Sequence, residues 1–322
     1  MKNRFFHSFL LTVCLLAPLP STAGSYNKMF VFGDSLSDSG NLATLAALSP
    51  DGSGPDEFRF LNDAPYFHGF TNGPTAVFRL ANLLQVPDFK SSLYLLQTIE
   101  GTNFAVAGAR AAGDEKIDLN TQVGAFLASL PPFGGKAPSD ALYILFIGGN
   151  DIRDMRNAAD LKTSYAILKK AKQNIHNNLS LLISLGAKHI MVVNSPNIGN
   201  LPETKLIAQQ TNNSHVITKA TLFTMAYNQA LADTVKTIEK YTHRDLVLFD
   251  VFTFFNNIVK DSRSLLFSNA KDACYSSVAF DYNLICDSSH LDTFVYFDEI
   301  HPTQRVHERV GRAMFAVVPE AN

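Results

Sequence analysis

Four short apolar runs punctuate the chain: "MFVF" at 29–32, "ALYILFIG" at 141–148, "HIMVVN" at 189–194 and "DLVLFDVF" at 245–252. Each is apolar nearly throughout rather than alternating, which predicts strands buried on both faces. A fifth, weaker run is "TNFAVAG" at 102–108. Helical spacing fills the intervals. Over 159–186, Leu161, Tyr165, Leu168, Ile175, Leu179 and Leu182 fall on one stripe, and Gly186 is placed as a stop. Further helices are predicted over 221–241 and 303–318, and one beginning in "TNGPTAVFRLANLL" with Pro74 in its first turn. Residues 43–70 show no sustained period and predict a long loop. Strands alternating with helices predict an α/β fold with a central parallel sheet covered on both faces.

In open sheets of this kind ligands bind beyond the carboxyl ends of the strands, near the point where strand order reverses. The polar residues that end the runs are therefore the candidates for chemistry. The first run ends in Gly33-Asp34-Ser35, the weak one near Gly108-Ala109, and the next in Gly148-Gly149-Asn150-Asp151. Near the C-terminus, "FVYFDEIHPT" leads from a short apolar segment into Asp298 and His301.

These ends supply the parts for acyl transfer. A serine hydroxyl needs a base to take its proton during attack, and histidine suits that task when a carboxylate fixes its tautomer. Asp298 and His301 are three residues apart, so one helical turn would put both on one side. For a developing oxyanion, Asn150 can offer its side-chain NH2, and Gly108 and Ser35 their backbone N–H groups. The Gly-x-Ser-x-Gly elbow is absent, because Ser35 is followed by Leu36 and Ser37. Other readings stay open at this point. Ser35 or Asn150 can cap a helix, and Asp298 with His301 can form a surface turn. His290 and Asp292 could join them around a metal, although the spacing is not a recognisable ligand set. Asp34 and Asp151 read as turn or capping residues.

"FGDSLSDSGN", "NFAVAGA", "GGND" and "DEIHPT" resemble the first, second, third and fifth blocks of the GDSL lipase/esterase family, the SGNH hydrolases. They occur in the family's order from Gly33 to Pro302. The second block departs by reading "AVAGA" where many relatives carry paired glycines. The resemblance implies Ser35 as nucleophile, Asp298 and His301 as the other triad members, and Ser35, Gly108 and Asn150 as oxyanion donors. It also implies a three-layer, flavodoxin-like fold and no cofactor. The segment after the nucleophile is similar to that of exported bacterial lysophospholipases and glycerophospholipid–cholesterol acyltransferases, members of which carry a disulfide loop ahead of the last block.

Composition adds the setting. Residues 1–23 carry Lys2 and Arg4, an apolar stretch from Phe9 to Ala17, and small residues at Ser21 and Ala23. That is the layout of a secretory signal peptide, with 24–322 as one hydrolase domain, secreted to the periplasm or exterior. Cys14 lacks the small neighbours of a lipid-anchor site. Without Lys2 and Arg4, 25 Lys+Arg stand against 29 Asp+Glu, a formal charge of −4, and no basic patch suggests nucleic acid. Cys274 and Cys286 remain as an even pair in an exported chain and predict a disulfide.

The expected activity is hydrolysis of acyl chains from lysophospholipid or phospholipid, with transfer to an acceptor as a variant. Phe58, Phe60, Tyr66, Phe67 and Phe70 are placed to line an acyl channel. The partners would be a lipid surface, met transiently, and a protease that nicks the 274–286 loop to relieve a restraint on substrate entry. A carbohydrate or aryl esterase, or a binding protein on the same scaffold, are the alternatives.

Overall fold

The computed structural model describes residues 26–48 and 56–320; the signal-peptide reading of 1–23, with Cys14, lies outside them. The chain opens with strand β1 (Met29–Gly33), helix α1 (Asn41–Leu48), α2 (Ala76–Leu83) and α3 (Leu119–Ala128). Then come β2 (Leu142–Phe146), α4 (Gly149–Asn157), α5 (Leu161–Ser184) and β3 (His189–Val193). These are followed by α6 (Pro202–Gln210), α7 (His215–Thr242), β4 (Val247–Phe249) and α8 (Val251–Lys260). The last elements are β5 (Asn269–Ala273), β6 (Tyr275–Ser276), β7 (Asp281–Tyr282), β8 (Phe294–Tyr296) and α9 (Gln304–Phe315).

The first four strands form one parallel sheet in the order β1-β2-β3-β4. Every residue of β1 and β2 is buried, so both faces are covered and the fold is a three-layer α/β sandwich. Phe30 and Phe32 meet Phe126 of α3, and Phe30 also stacks on Tyr143 of β2. Helices α2 and α9 pack on each other and bring Val77, Leu80, Val306, Val310 and Met314 into the same core. Burying an aliphatic or aromatic side chain of this size contributes roughly 1.5–3 kcal/mol each.

The weak run at 102–108 is not a regular strand, yet its backbone runs parallel to β1. Val31 N–H donates to the Thr102 carbonyl (3.1 Å), and Phe104 and Val106 N–H donate to the carbonyls of Val31 (2.8 Å) and Gly33 (3.2 Å). Counting that segment, the order becomes 2-1-3-4-5, the flavodoxin-like arrangement. Strand order therefore reverses at β1, and the crevice beyond its carboxyl end is the expected ligand position.

Three local expectations are corrected. The 245–252 run yields only three strand residues, because Asp250 accepts the Thr253 N–H (3.1 Å) and starts α8. The supposed loop 43–70 contains most of α1 and a 3₁₀ helix, Asp56–Asn62; α1 ("NLATLAAL") has too uniform a composition to show a period. Pro74 lies just ahead of the α2 N-cap, Thr75, rather than in the first turn.

Candidate active site

Glycine ends β1, and Ser35 follows it at the switch point. Its Oγ lies 2.8 Å from His301 Nε2. His301 Nδ1 lies 2.8 Å and 2.9 Å from the two oxygens of Asp298. A carboxylate can only accept, so Nδ1 carries the imidazole proton and Nε2 is left to accept from the Ser35 hydroxyl. Asp298 and His301 are almost fully buried. This is the geometry in which a hydroxyl can pass its proton to imidazole as it attacks.

The acid and base are not joined by a helical turn, as the spacing suggested. Asp298 Oδ1 accepts the N–H groups of Ile300 (2.8 Å) and His301 (2.7 Å), closing a tight bend. The bend is shut at its base by Phe297 N–H donating to the His301 carbonyl (2.8 Å) and by pairing of Tyr296 with Pro302. The ring of Phe70 lies against the imidazole, centroids 4.9 Å apart. Thr71 Oγ1 donates to the Pro302 carbonyl (3.2 Å).

Gly108 ends the 102–108 segment beside β1, and Asn150 lies in the turn of helix that follows β2. Gly108 has φ +85°, a conformation that costs a side-chain-bearing residue strain. Among the described residues the Gly108 and Ser35 N–H groups donate to no protein acceptor. Asn150, second residue of α4, donates one Nδ2 hydrogen to the Ala109 carbonyl (3.0 Å), which leaves the other available. Its Oδ1 accepts from Arg153 (2.9 Å). Asn150 is therefore not the helix cap, a place taken by Gly148.

Buried carboxyl groups brace this backbone, a role the sequence hid. Asp38 accepts the N–H groups of Gly40 and Asn41 at the start of α1 and, with its other oxygen, that of Ala107 (2.9 Å), next to Gly108. Asp151 accepts Ala111 (2.8 Å) and Ala112 (2.7 Å) N–H, about forty residues away, rather than capping its own helix. Burial pushes Asp151 up to about 7 and Asp34 up to about 6 against the backbone N–H groups that favour their charge, and Asp34 raises Asp151 further. The second block is locked to the first through Asn41 Nδ2, which donates to the carbonyls of Asn103 and Ala105 (2.8 Å each). Of these residues, only their position inside polar clusters at strand ends could have drawn notice.

From Ser35 a pocket lined almost wholly by apolar atoms runs past Ile198, Leu201, Val251, Phe255, Ile300 and Val310. His307 also lines it; burial pushes this imidazole down to about 3, and its Nδ1 accepts the Ala76 N–H (3.1 Å). The aromatics expected to line an acyl channel do not line this pocket. Phe58, Phe60, Tyr66 and Phe70 pack edge-to-face in a separate cluster with Tyr275 and Phe297, and Phe67 is exposed. Cys274 and Cys286 form the disulfide. Its loop contributes nothing to the pocket wall; it reaches the site through Ser277, whose N–H (3.0 Å) and hydroxyl (2.7 Å) donate to Glu299. His290 pairs with Asp287, and Asp292 accepts from Asn72 and Gln304. Among the described residues no group of three His, Cys, Asp or Glu could hold a metal.

The family model for GDSL-like lipase/acylhydrolase matches residues 29–314. The chain belongs to the GDSL lipase/acylhydrolase family. It is 25% identical over 332 residues to the inactive GDSL esterase/lipase-like protein 25 of Arabidopsis thaliana, covering 98% of this chain and 76% of that one. It is 27% identical over 303 residues to the thermolabile hemolysin of Vibrio parahaemolyticus, covering 89% of this chain and 63% of the hemolysin. To the phosphatidylcholine-sterol acyltransferase of Aeromonas hydrophila it is 25% identical over 281 residues, covering 85% and 72%. Among solved structures, the acetylxylan esterase Axe2 of Geobacillus stearothermophilus aligns with a TM-score of 0.42 at 16% identity, covering 92% of this chain and 95% of Axe2.

Proposed function

We propose that this GDSL hydrolase is a serine esterase that removes acyl chains from lysophospholipids or phospholipids. The observation that carries the reading is the Ser35–His301 contact in the wall of an apolar pocket. Ser35 Oγ attacks the ester carbonyl while its proton moves to His301 Nε2, and Asp298 stabilises the imidazolium. The oxyanion is met by Ser35 and Gly108 N–H and by Asn150 Nδ2. Collapse expels the alcohol, which takes the proton from His301, and leaves an ester on Ser35. Water then attacks that ester by the same route, releasing the fatty acid and restoring the hydroxyl. A sterol hydroxyl in place of water gives acyl transfer, the reaction named for the Aeromonas relative.

A lipid substrate is supported by the apolar pocket wall and by exposed Val278, Phe280, Leu284 and Ile285 on the disulfide-closed segment, suited to brief contact with a lipid surface. Among the described residues no helix is long and apolar enough to cross a membrane. The reading includes export by residues 1–23. It also includes control by a protease that cuts within 274–286 and acts through the Ser277–Glu299 contact beside Asp298.

The test is a lipid panel with purified protein, with and without cholesterol, scored for free fatty acid and sterol ester, with Ser35→Ala as control. Release of long-chain fatty acid from lysophosphatidylcholine is expected. Turnover of acetyl esters alone would replace the lipid reading with a short-chain esterase. Activity retained in Ser35→Ala would overturn the mechanism, and failure of a fluorophosphonate probe to label wild type would indicate a binding protein.

A further inference from the structure

Three charged side chains behind the oxyanion donors are absorbed by no step of the proposed reaction. Arg153 lies one helical turn beyond Asn150 on α4, and its Nη1 donates to Asn150 Oδ1 (2.9 Å). Its Nε (3.1 Å) and Nη2 donate to the two oxygens of Glu203, a forked pair. Glu203 also accepts from buried Arg156 (2.8 Å), which in turn donates to Thr204 Oγ1 (2.7 Å). The Glu203 N–H donates to the carbonyl of Glu299 (2.8 Å), next to Asp298. Two cations hold Glu203 below the usual carboxylate range in spite of its burial.

We infer that Arg153 is a positioning residue for the oxyanion, acting through the Asn150 amide and anchored by Glu203. The inference rests on the esterase reading. A guanidinium only donates and a carbonyl only accepts, so Arg153 and Ala109 both select the same orientation of the Asn150 amide. A turned amide would set NH2 against guanidinium and oxygen against oxygen. Arg153 also withdraws electron density through Oδ1, which strengthens the free Nδ2 hydrogen as a donor when negative charge develops opposite it. Glu203 holds the guanidinium by two bonds, so little rotamer freedom is lost when it engages Asn150. Because Arg153 lines the pocket as well, direct contact with substrate is the competing role.

The test is a double-mutant cycle read as kcat and KM on a soluble short-chain aryl ester. Arg153→Met is expected to lower kcat roughly tenfold with KM within about twofold, the mark of an interaction strengthened in the transition state. In an Asn150→Ala background the same substitution should change kcat less than about twofold, since its route is already cut. Arg153→Lys, which keeps a charged donor but loses the fork on Glu203, should recover part of the loss. If Arg153→Met does not fold, Glu203→Gln read against Asn150→Ala serves in its place, with the same non-additivity expected. Losses that multiply across the cycle, or a change in KM alone, overturn the inference. A wild-type kcat in Asn150→Ala would instead overturn the oxyanion assignment beneath it.

Discussion

The ring of Tyr227 stands where a β-carbon on Gly148 would have to go: an added Cβ would lie 2.2–2.4 Å from three of its atoms. The Tyr227 hydroxyl donates to the Ile147 carbonyl (2.9 Å), so the ring cannot swing away without losing a buried bond. Gly148 also has φ +132° and starts the helix that presents Asn150. Packing behind the sheet thus dictates the backbone at the candidate oxyanion site.

Gly148→Ala is therefore expected to remove esterase activity and to lower the thermal midpoint by several degrees, as overpacking costs typically ~1–3 kcal/mol before backbone strain is added. Tyr227→Phe, which keeps the ring and loses one bond, should cost only about 1 kcal/mol and leave activity. Calorimetry and an aryl-ester assay on both variants separate the two.

Asp298→Asn should lower kcat by about 10²–10⁴ with little loss of protein fold, because the amide oxygen can still accept the bend's N–H groups while the histidine tautomer is no longer fixed. Stopped assays at high enzyme concentration, with Ser35→Ala as the floor, measure this.

Asp151 has a folded value of about 7 against an ordinary 3.8. The native state therefore holds a proton that the unfolded chain releases between about pH 4 and pH 7. Stability is greatest at the acid end of that window and falls as pH rises through it. Asp34, raised to about 6, acts in the same direction. His307, pushed down to about 3, works against this below the ordinary histidine value of 6.5. The check is therefore a comparison: on going from pH 8 to pH 5 the urea midpoint of wild type should rise relative to that of Asp151→Asn.

Ile198 and Leu201 wall the pocket on the side contributed by the segment leading into α6. Ile198→Trp is expected to reduce turnover of long-chain esters by tenfold or more, the order of a lost hydrophobic fit, while sparing acetyl esters. A chain-length series of p-nitrophenyl esters reads this directly.

The disulfide closes a span of 12 residues. Cys274→Ser with Cys286→Ser should lower stability by roughly 3 kcal/mol on the chain-entropy account. Activity of the double variant on soluble esters should change through Glu299 rather than through pocket access, which comparison of kcat with KM distinguishes.

Much of this site was legible because its groups sit at strand ends, and strand ends follow from apolar runs. Ser35, Gly108 and Asn150 were placed that way, and Asp298 with His301 by their closeness in sequence. The pocket was not legible, since its wall gathers residues from stretches as distant as Phe146 and Val310, and single aromatics near the nucleophile were a poor guide. The braces were hidden for a similar reason. Asp38, Asp151 and Arg153 act on backbone and amide groups that only the folded chain brings near, and locally each resembles an ordinary polar residue.

The Asp298–His301 bend is fastened at both ends, so acid and imidazole travel as one rigid piece. A displacement of that piece would leave the carboxylate–imidazole couple whole and part it from the serine. Return of the imidazole to the hydroxyl would then need no repair of the pair that makes the base.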